Sequence, residues 1–370
     1  MGELTVKCLL YADDQVILAS SVAELQMMVT LMTRTLKEKG MKVNATISPC
    51  LAQSNVSIPL SPRSFRNILR TFVPVPRGRV LSIKDVRILY FSNNFMKPKV
   101  YNLAGIKGLL AEPDFDTNKP TTLYIHGYVE KSSDDSIHTI VRSYRRHGGY
   151  NLLILDWSNL AFGNYISVIL GLQKLGERTG EAVEKLIRGG LALEGLHVVG
   201  HSLGVHLGGY ACRYLKYKGF IVPRLTGLDP AYPGFYLPVL VPPVNRDDAF
   251  FVDLVHTDAG GFGEPLSVGH ADFWPNAGRA KQPGCLPVTL LLTIEDFCSH
   301  WRSWRFWAES VEGGQFLARK CDDYDAFLRG RCQEEPTVNM GLYATPNLRG
   351  NFYLRTAAKS PFALAERGAE

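Results

Sequence analysis

Gly200-His201-Ser202-Leu203-Gly204 is the segment best suited to covalent chemistry. A Gly-x-Ser-x-Gly pattern arises by chance about one time in ten in a chain of this length, so its surroundings must decide. An apolar run, Leu196-His197-Val198-Val199, leads into it, and helical spacing over Val205–Tyr217 leads out, stopping at Gly219. Such a strand–turn–helix passage lifts a serine hydroxyl above the end of a sheet. Glycines on either side let neighbouring backbones approach closely. The helix that follows points its positive end at the place where an oxyanion would form.

A serine hydroxyl is a poor nucleophile without a base, and the base needs an acid to fix its tautomer. On a strand–turn–helix elbow the chain order is Ser, acid, His. Asp229, Asp253 and Asp258 stand in turn-like contexts after Ser202. Asp229 is the best placed, because Arg224-Leu225-Thr226-Gly227-Leu228 reads as the next strand and Pro230 follows. His256, His270 and His300 all qualify as the base, and spacing does not choose among them. An oxyanion hole takes one N–H from the residue after the nucleophile, Leu203. It takes the second from an earlier strand-to-helix loop, and Ile125-His126-Gly127-Tyr128 makes that residue Tyr128.

The elements that must carry these residues are legible from about Asp85 onward. Val86–Phe91, Thr121–Ile125, Leu152–Leu155 and Leu196–Val199 read as strands, and 165–187 as a helix broken at Gly189-Gly190. Strands alternating with helices imply an α/β fold with a mainly parallel sheet and crossover helices. The 46% hydrophobic content of 370 residues supports a core that needs no metal. The net charge of +6 shows no dense basic run, so nucleic acid is not an expected partner. Two late cysteine pairs, Cys285/Cys298 and Cys321/Cys332, read as small disulfide loops and place the chain in an oxidising compartment. No stretch is long and apolar enough to span a membrane.

Taken in order, the motifs from Asp85 to Arg355 resemble the pancreatic-lipase family, especially its insect members. They run from Thr122-Leu123-Tyr124-Ile125-His126-Gly127 and Asp156-Trp157-Ser158 through the serine motif to Thr226-Gly227-Leu228-Asp229-Pro230-Ala231. Next come Phe251-Val252-Asp253-Leu254-Val255-His256-Thr257-Asp258, Gly269-His270-Ala271-Asp272-Phe273-Trp274-Pro275-Asn276 and Cys298-Ser299-His300-Trp301-Arg302-Ser303. The resemblance implies an α/β-hydrolase fold with Ser202, Asp229 and His300 as the catalytic residues and structural roles for His256 and His270. It makes Cys285–Cys298 the lid disulfide and Cys321–Cys332 a second nearby loop. The expected activity is secreted hydrolysis of glycerolipid esters at a membrane, micelle or droplet surface, without metal or organic cofactor. The alternative is a catalytically silent lipid-binding or storage protein on the same fold. The chain departs from the digestive lipases in three places. The apolar segment between Cys285 and Cys298 is only twelve residues. The His256–His270 loop is short, and the chain ends about 15 residues after Arg355. Short loops resemble the sn-1 phospholipases of the family. The lack of room for a C-terminal β-sandwich argues against a colipase partner.

Residues 1–47 have a different character, with five of the seven methionines and only two glycines. Cys8–Leu18 reads as two apolar strands flanking Asp13 and Asp14, followed by a helical pattern from Val22 to Leu36. This piece resembles the palm of reverse transcriptases from non-LTR retroelements, carried by Tyr11-Ala12-Asp13-Asp14 and Gly40-Met41-Lys42-Val43-Asn44. Roughly 45 residues cannot build that metal site, so the segment reads as a remnant. Nor does it read as a signal peptide, because acidic residues interrupt its apolar run. The expected organisation is therefore a remnant at 1–47, a lead-in at 48–84, a catalytic domain at 85–357 and a tail at 358–370.

Overall fold

The computed structural model describes residues 8–12, 15–19, 82–92, 97–236, 240–286 and 297–370. β1 (Cys8–Ala12) and β2 (Gln15–Ala19) pair antiparallel in a sheet of their own, with Leu10 opposite Ile17. Asp13, Asp14 and the expected helix from Val22 to Leu36 fall outside the described residues.

All other strands join one eleven-stranded sheet. β3 (Arg87–Phe91) and β4 (Lys99–Asn102) form one antiparallel edge. β5 (Thr121–Ile125) leads to α1 (Asp135–His147), which ends at Gly148 with φ 70°, left-handed backbone that glycine adopts without a Cβ clash. Then come β6 (Asn151–Asp156), α2 (Ser158–Ala161) and α3 (Tyr165–Arg188), whose first turn is capped by the Asn164 side chain accepting from Ser167 N–H. β7 (Leu196–His201) runs into α4 (Leu203–Tyr217). β8 (Arg224–Leu228), β9 (Phe251–Val255) and β10 (Ala271–Pro275) continue the sheet. α5 (Cys298–Val311), β11 (Phe316–Lys320), α6 (Tyr324–Leu328), β12 (Thr337–Met340) and β13 (Gly350–Leu354) complete it.

The spatial order is β12-β11-β13-β10-β9-β8-β7-β5-β6-β3-β4. The block from β6 to β13 is parallel, and antiparallel strands flank it on both sides. Parallel strands covered by helices on both faces need apolar side chains on both faces. Leu123, Ile125, Leu153, Leu155 and Val198 point into the cluster beneath α3 and α4. Their neighbours Tyr124, Leu152, Ile154 and Val199 point into the cluster beneath α1 and α5. The expected α/β-hydrolase fold is thus present, and the periodicity was sound. The strands at Thr121–Ile125 and Arg224–Leu228 lie where the sequence puts them.

The stretch 358–370, read from sequence as a tail, is packed against the domain. Phe362 is buried with its ring against Phe306, and the Glu309 carboxylate accepts the N–H groups of Phe362 and Ala363. Arg355 N–H donates to Gly368 O at 2.7 Å. An apolar anchor and satisfied backbone groups make it part of the fold.

Candidate active site

The candidate residues converge at the carboxyl ends of the central strands. Ser202 sits between β7 and α4 with φ 56° and ψ −122°, a conformation that side chains rarely adopt. Such strain persists only where the surroundings over-determine it, and two close approaches do so here. A Cβ on Gly200 would lie 2.4 Å from Gly204 O, and one on Gly204 would lie 2.2 Å from Ile125 O. The turn therefore locks α4 onto the end of β5, and only glycine fits at either position. Ser202 N–H donates to Leu228 O at 3.0 Å, tying the elbow to the next strand.

Asp229 follows β8 in a second left-handed residue, φ 49°. Its side chain is fully buried, and Oδ1 accepts from Thr257 N–H at 2.7 Å and Asp258 N–H at 3.0 Å. Oδ2 accepts from His300 Nδ1–H at 2.6 Å. The carboxylate is packed on its far side by Gly263, where a Cβ would lie 2.4 Å from Asp229 Oδ1. That contact explains a glycine in the short loop after His256.

His300 lies in the first turn of α5, two residues after Cys298, and α5 packs on α1. Burial pushes the His300 imidazole below its ordinary value, opposed by the hydrogen bond and the charge of Asp229. The ring is thus neutral at neutral pH, with Nδ1 protonated toward Asp229 and Nε2 free to accept a proton. Phe262 and Phe297 stack at 4.4 Å beside it, with ring centroids 5.8 and 6.5 Å from that of His300. The structure brings Asp229 and His300 into direct contact, whereas Ser202 Oγ makes no hydrogen bond to His300 among the described residues. Its neighbour His201 does touch His300, ring to ring at 4.8 Å. Long catalytic contacts are ordinary in unliganded sites.

Tyr128 and Leu203 flank the serine. Leu203 is the first residue of α4, so its N–H has no intrahelical acceptor. A Cβ on Gly127 would lie 3.0 Å from Ser202 Cβ, which places the Tyr128 turn directly against Ser202. The flanking amides are engaged, Gly127 N–H by Glu130 and Val129 N–H by Ala161 O. The Tyr128 N–H has no such acceptor among the described residues.

The other acids and histidines are committed elsewhere. Asp253 takes both Arg224 Nε and Nη2, at 2.9 and 2.8 Å, and the Thr226 hydroxyl. His256 bridges Glu264 O and Asp272 Oδ1 at 2.9 Å each and stacks on Trp274. His270 Nδ1 accepts Val252 N–H. Asp258 Oδ2 accepts Phe262 N–H. Asp229, Asp258 and His300 bring possible ligand atoms within 4.8 Å of one another. Three N–H groups already engage the Asp229 oxygens, so this is a hydrogen-bonded pair with a neighbouring acid rather than an open donor set.

Cys285–Cys298 and Cys321–Cys332 are disulfide-bonded as the spacing implies, and Cys212 is free and buried in α4. Residues 287–296 of the expected lid lie outside the described residues. Sequence reasoning missed Glu130, whose only signal was an acid close behind His126-Gly127.

A central parallel sheet, a strained serine elbow and a buried Asp–His pair are the arrangement of an α/β hydrolase. Residues 71–362 match the protein family described as Lipase, and the chain belongs to it. The match begins within the expected lead-in and ends within the expected tail. The chain is 32% identical over 314 residues to pancreatic triacylglycerol lipase of Sus scrofa, covering 75% of this chain and 67% of that protein. It is also 32% identical over 313 residues to pancreatic lipase-related protein 2 of Homo sapiens, covering 75% and 64% respectively. The chain thus spans about two thirds of the length of these relatives.

Proposed function

We propose that this chain is a secreted serine lipase that hydrolyses carboxylic esters of glycerolipids, with Ser202 as nucleophile, His300 as base and Asp229 as its orienting acid. The observation that carries this reading is the 2.6 Å Asp229–His300 pair, buried beside a left-handed Ser202. His300 Nε2 takes the proton from Ser202 Oγ as the oxygen attacks the ester carbonyl. The N–H groups of Leu203 and Tyr128 stabilise the oxyanion. The C–O bond to the alcohol then breaks, the alcohol leaves with the proton from His300, and a serine ester remains. Water, deprotonated by His300, attacks that ester and releases the fatty acid. None of these steps draws on a metal or organic cofactor.

Exposed apolar side chains support a lipid surface as the substrate phase. Val129, Phe162, Leu266 and Leu286 are exposed on loops leaving the carboxyl ends of β5, β6, β9 and β10. Exposed apolar side chains of this kind offer contact area to an apolar phase. The two disulfides support an oxidising, extracellular setting. The substrate reading covers triacylglycerol and the sn-1 ester of phospholipids, and the short loop holding Gly260, Gly261 and Gly263 favours an open site able to admit a head group.

The test offers triolein emulsion and phosphatidylcholine vesicles to the full chain, with Ser202→Ala as control. Loss of either triad member in other serine hydrolases removes many orders of magnitude of turnover, and the same is expected here. Fatty acid from triolein alone defines a neutral lipase. Lysolipid and fatty acid from phosphatidylcholine define a phospholipase. Release from neither, with Ser202 unlabelled by a serine-directed phosphonate, would replace the enzyme reading with a lipid-binding role.

A further inference from the structure

Glu130 is buried 7% exposed, follows the oxyanion loop, and plays no part in the proton transfers above. A single carboxylate oxygen, Oε2, accepts two donors from different parts of the fold. One is Gly127 N–H, in the loop that carries Tyr128. The other is His201 Nδ1–H at 2.9 Å, from the residue immediately before the nucleophile. Between them the chain is strained, because Val129 is β-branched and holds φ 56°. A β-branched residue in left-handed backbone is a genuine outlier and needs anchors on both sides. Those anchors are Val129 N–H on Ala161 O at 3.0 Å and the Glu130 side chain itself. Burial pushes the Glu130 carboxyl up, but His201, His126 and the Gly127 N–H outweigh it and hold it at about 2, so it is a carboxylate across the working pH range.

We propose that Glu130 is a positioning residue that straps the oxyanion loop to the nucleophile elbow through Gly127 N–H and His201, fixing the Tyr128 N–H at the distance the tetrahedral intermediate needs. This rests on the serine-hydrolase reading of the same site. The strap acts on the transition state, because a displaced Tyr128 N–H loses contact with the oxyanion while substrate binding elsewhere is untouched.

The experiment uses the full chain with Glu130→Met, which keeps the length and loses the acceptor. Glu130→Gln keeps a carbonyl oxygen able to accept both N–H groups. Glu130→Ala is the second acceptor-free variant should Met not fold. Turnover of a soluble p-nitrophenyl butyrate is measured per active site, with sites counted by stoichiometric phosphonate labelling, so partial unfolding does not register as lost kcat. An acceptor-free variant is expected to lose roughly 10²–10³-fold in kcat, the effect of removing one oxyanion donor, with KM nearly unchanged. Its affinity for a trifluoromethyl ketone, whose adduct carries the oxyanion, should fall in step, and Glu130→Gln should restore most of both. Wild-type kcat per labelled site in the acceptor-free variant would overturn the proposal. So would a loss confined to KM, or Gln no better than Met. An unmodified chain that neither turns over ester nor takes the phosphonate would overturn the function reading and this inference with it. An active chain with an active acceptor-free variant would overturn this inference alone.

Discussion

Replacing Asp229 by Asn tests how His300 is held. The amide is nearly isosteric, so the buried site stays filled. Its oxygen faces a choice between two sides. At the Oδ1 position it can go on accepting Thr257 N–H and Asp258 N–H, now at 2.7 and 3.0 Å. The NH2 then faces His300 Nδ1 and forces the tautomer with the proton on Nε2, which cannot take the Ser202 proton. Flipping the amide rescues His300 but turns NH2 hydrogens against two N–H donors. That leaves two buried donors unmatched, at about 1–3 kcal/mol each. The competent flip is therefore disfavoured by roughly 2–6 kcal/mol, and at about 1.4 kcal/mol per factor of ten its population is ~10⁻² to 10⁻⁴. The kcat on a soluble ester should fall by about that factor, with KM and the melting temperature little changed. A similar substitution in a serine protease of unrelated fold costs about 10⁴. A kcat within tenfold of wild type would refute the argument that Asp229 sets the His300 tautomer.

Two further predictions concern pH. His300 must be neutral to act, and burial lowers its pKa, so kcat/KM should fall on the acid side with a midpoint below the ordinary ~6.5; a midpoint above that value would contradict the buried, Asp229-paired ring. Glu264 is fully buried, and burial pushes its pKa up to about 8, with Leu266 N–H and the Tyr236 hydroxyl opposing. The folded chain then keeps a proton that the unfolded chain releases near 4.5, so stability declines as pH rises between about 4.5 and 8. At about 1.4 kcal/mol per pH unit the ceiling is roughly 5 kcal/mol. Glu264→Gln, neutral throughout, should melt higher than wild type by a margin that widens from weakly acidic to weakly alkaline buffer. A margin constant with pH would argue against a buried, protonated Glu264.

Local signals made the elbow legible. Val198 and Val199 alternate between the two faces, the helix follows at once, and both glycines are forced by backbone atoms of the same motif and of β5. The choice among acids and bases was not local. Asp253 is consumed by Arg224, and His256 by Asp272 and Trp274, contacts made only once distant strands pair. Strand placement already favoured Asp229 among the aspartates, but nothing in the spacing of the three histidines encodes those partners, so only the family resemblance chose His300. Glu130 was invisible for the same reason, since its meaning lies in His201, 71 residues away. The packed 358–370 stretch shows the converse, a segment without periodicity held by the Phe362 ring, the Glu309 carboxylate and hydrogen bonds from Arg302 and Arg319 to its backbone carbonyls.

Every other strand of the sheet precedes β13 in sequence, yet β13 lies inside the sheet between β10 and β11. A ribosome delivers every residue of the proposed triad before it delivers this strand. Until Gly350–Leu354 emerges, β10 has one open edge, and β11 and β12 have no place to dock on the parallel block. Open edges of this kind template intermolecular pairing, and large α/β chains pass through such intermediates as they are made. The interval between synthesis of His300 and synthesis of Leu354 is therefore one in which a nascent chain carries open strand edges. A nonsense codon anywhere in that interval would yield a polypeptide bearing Ser202, Asp229 and His300 but lacking the strand that closes the sheet.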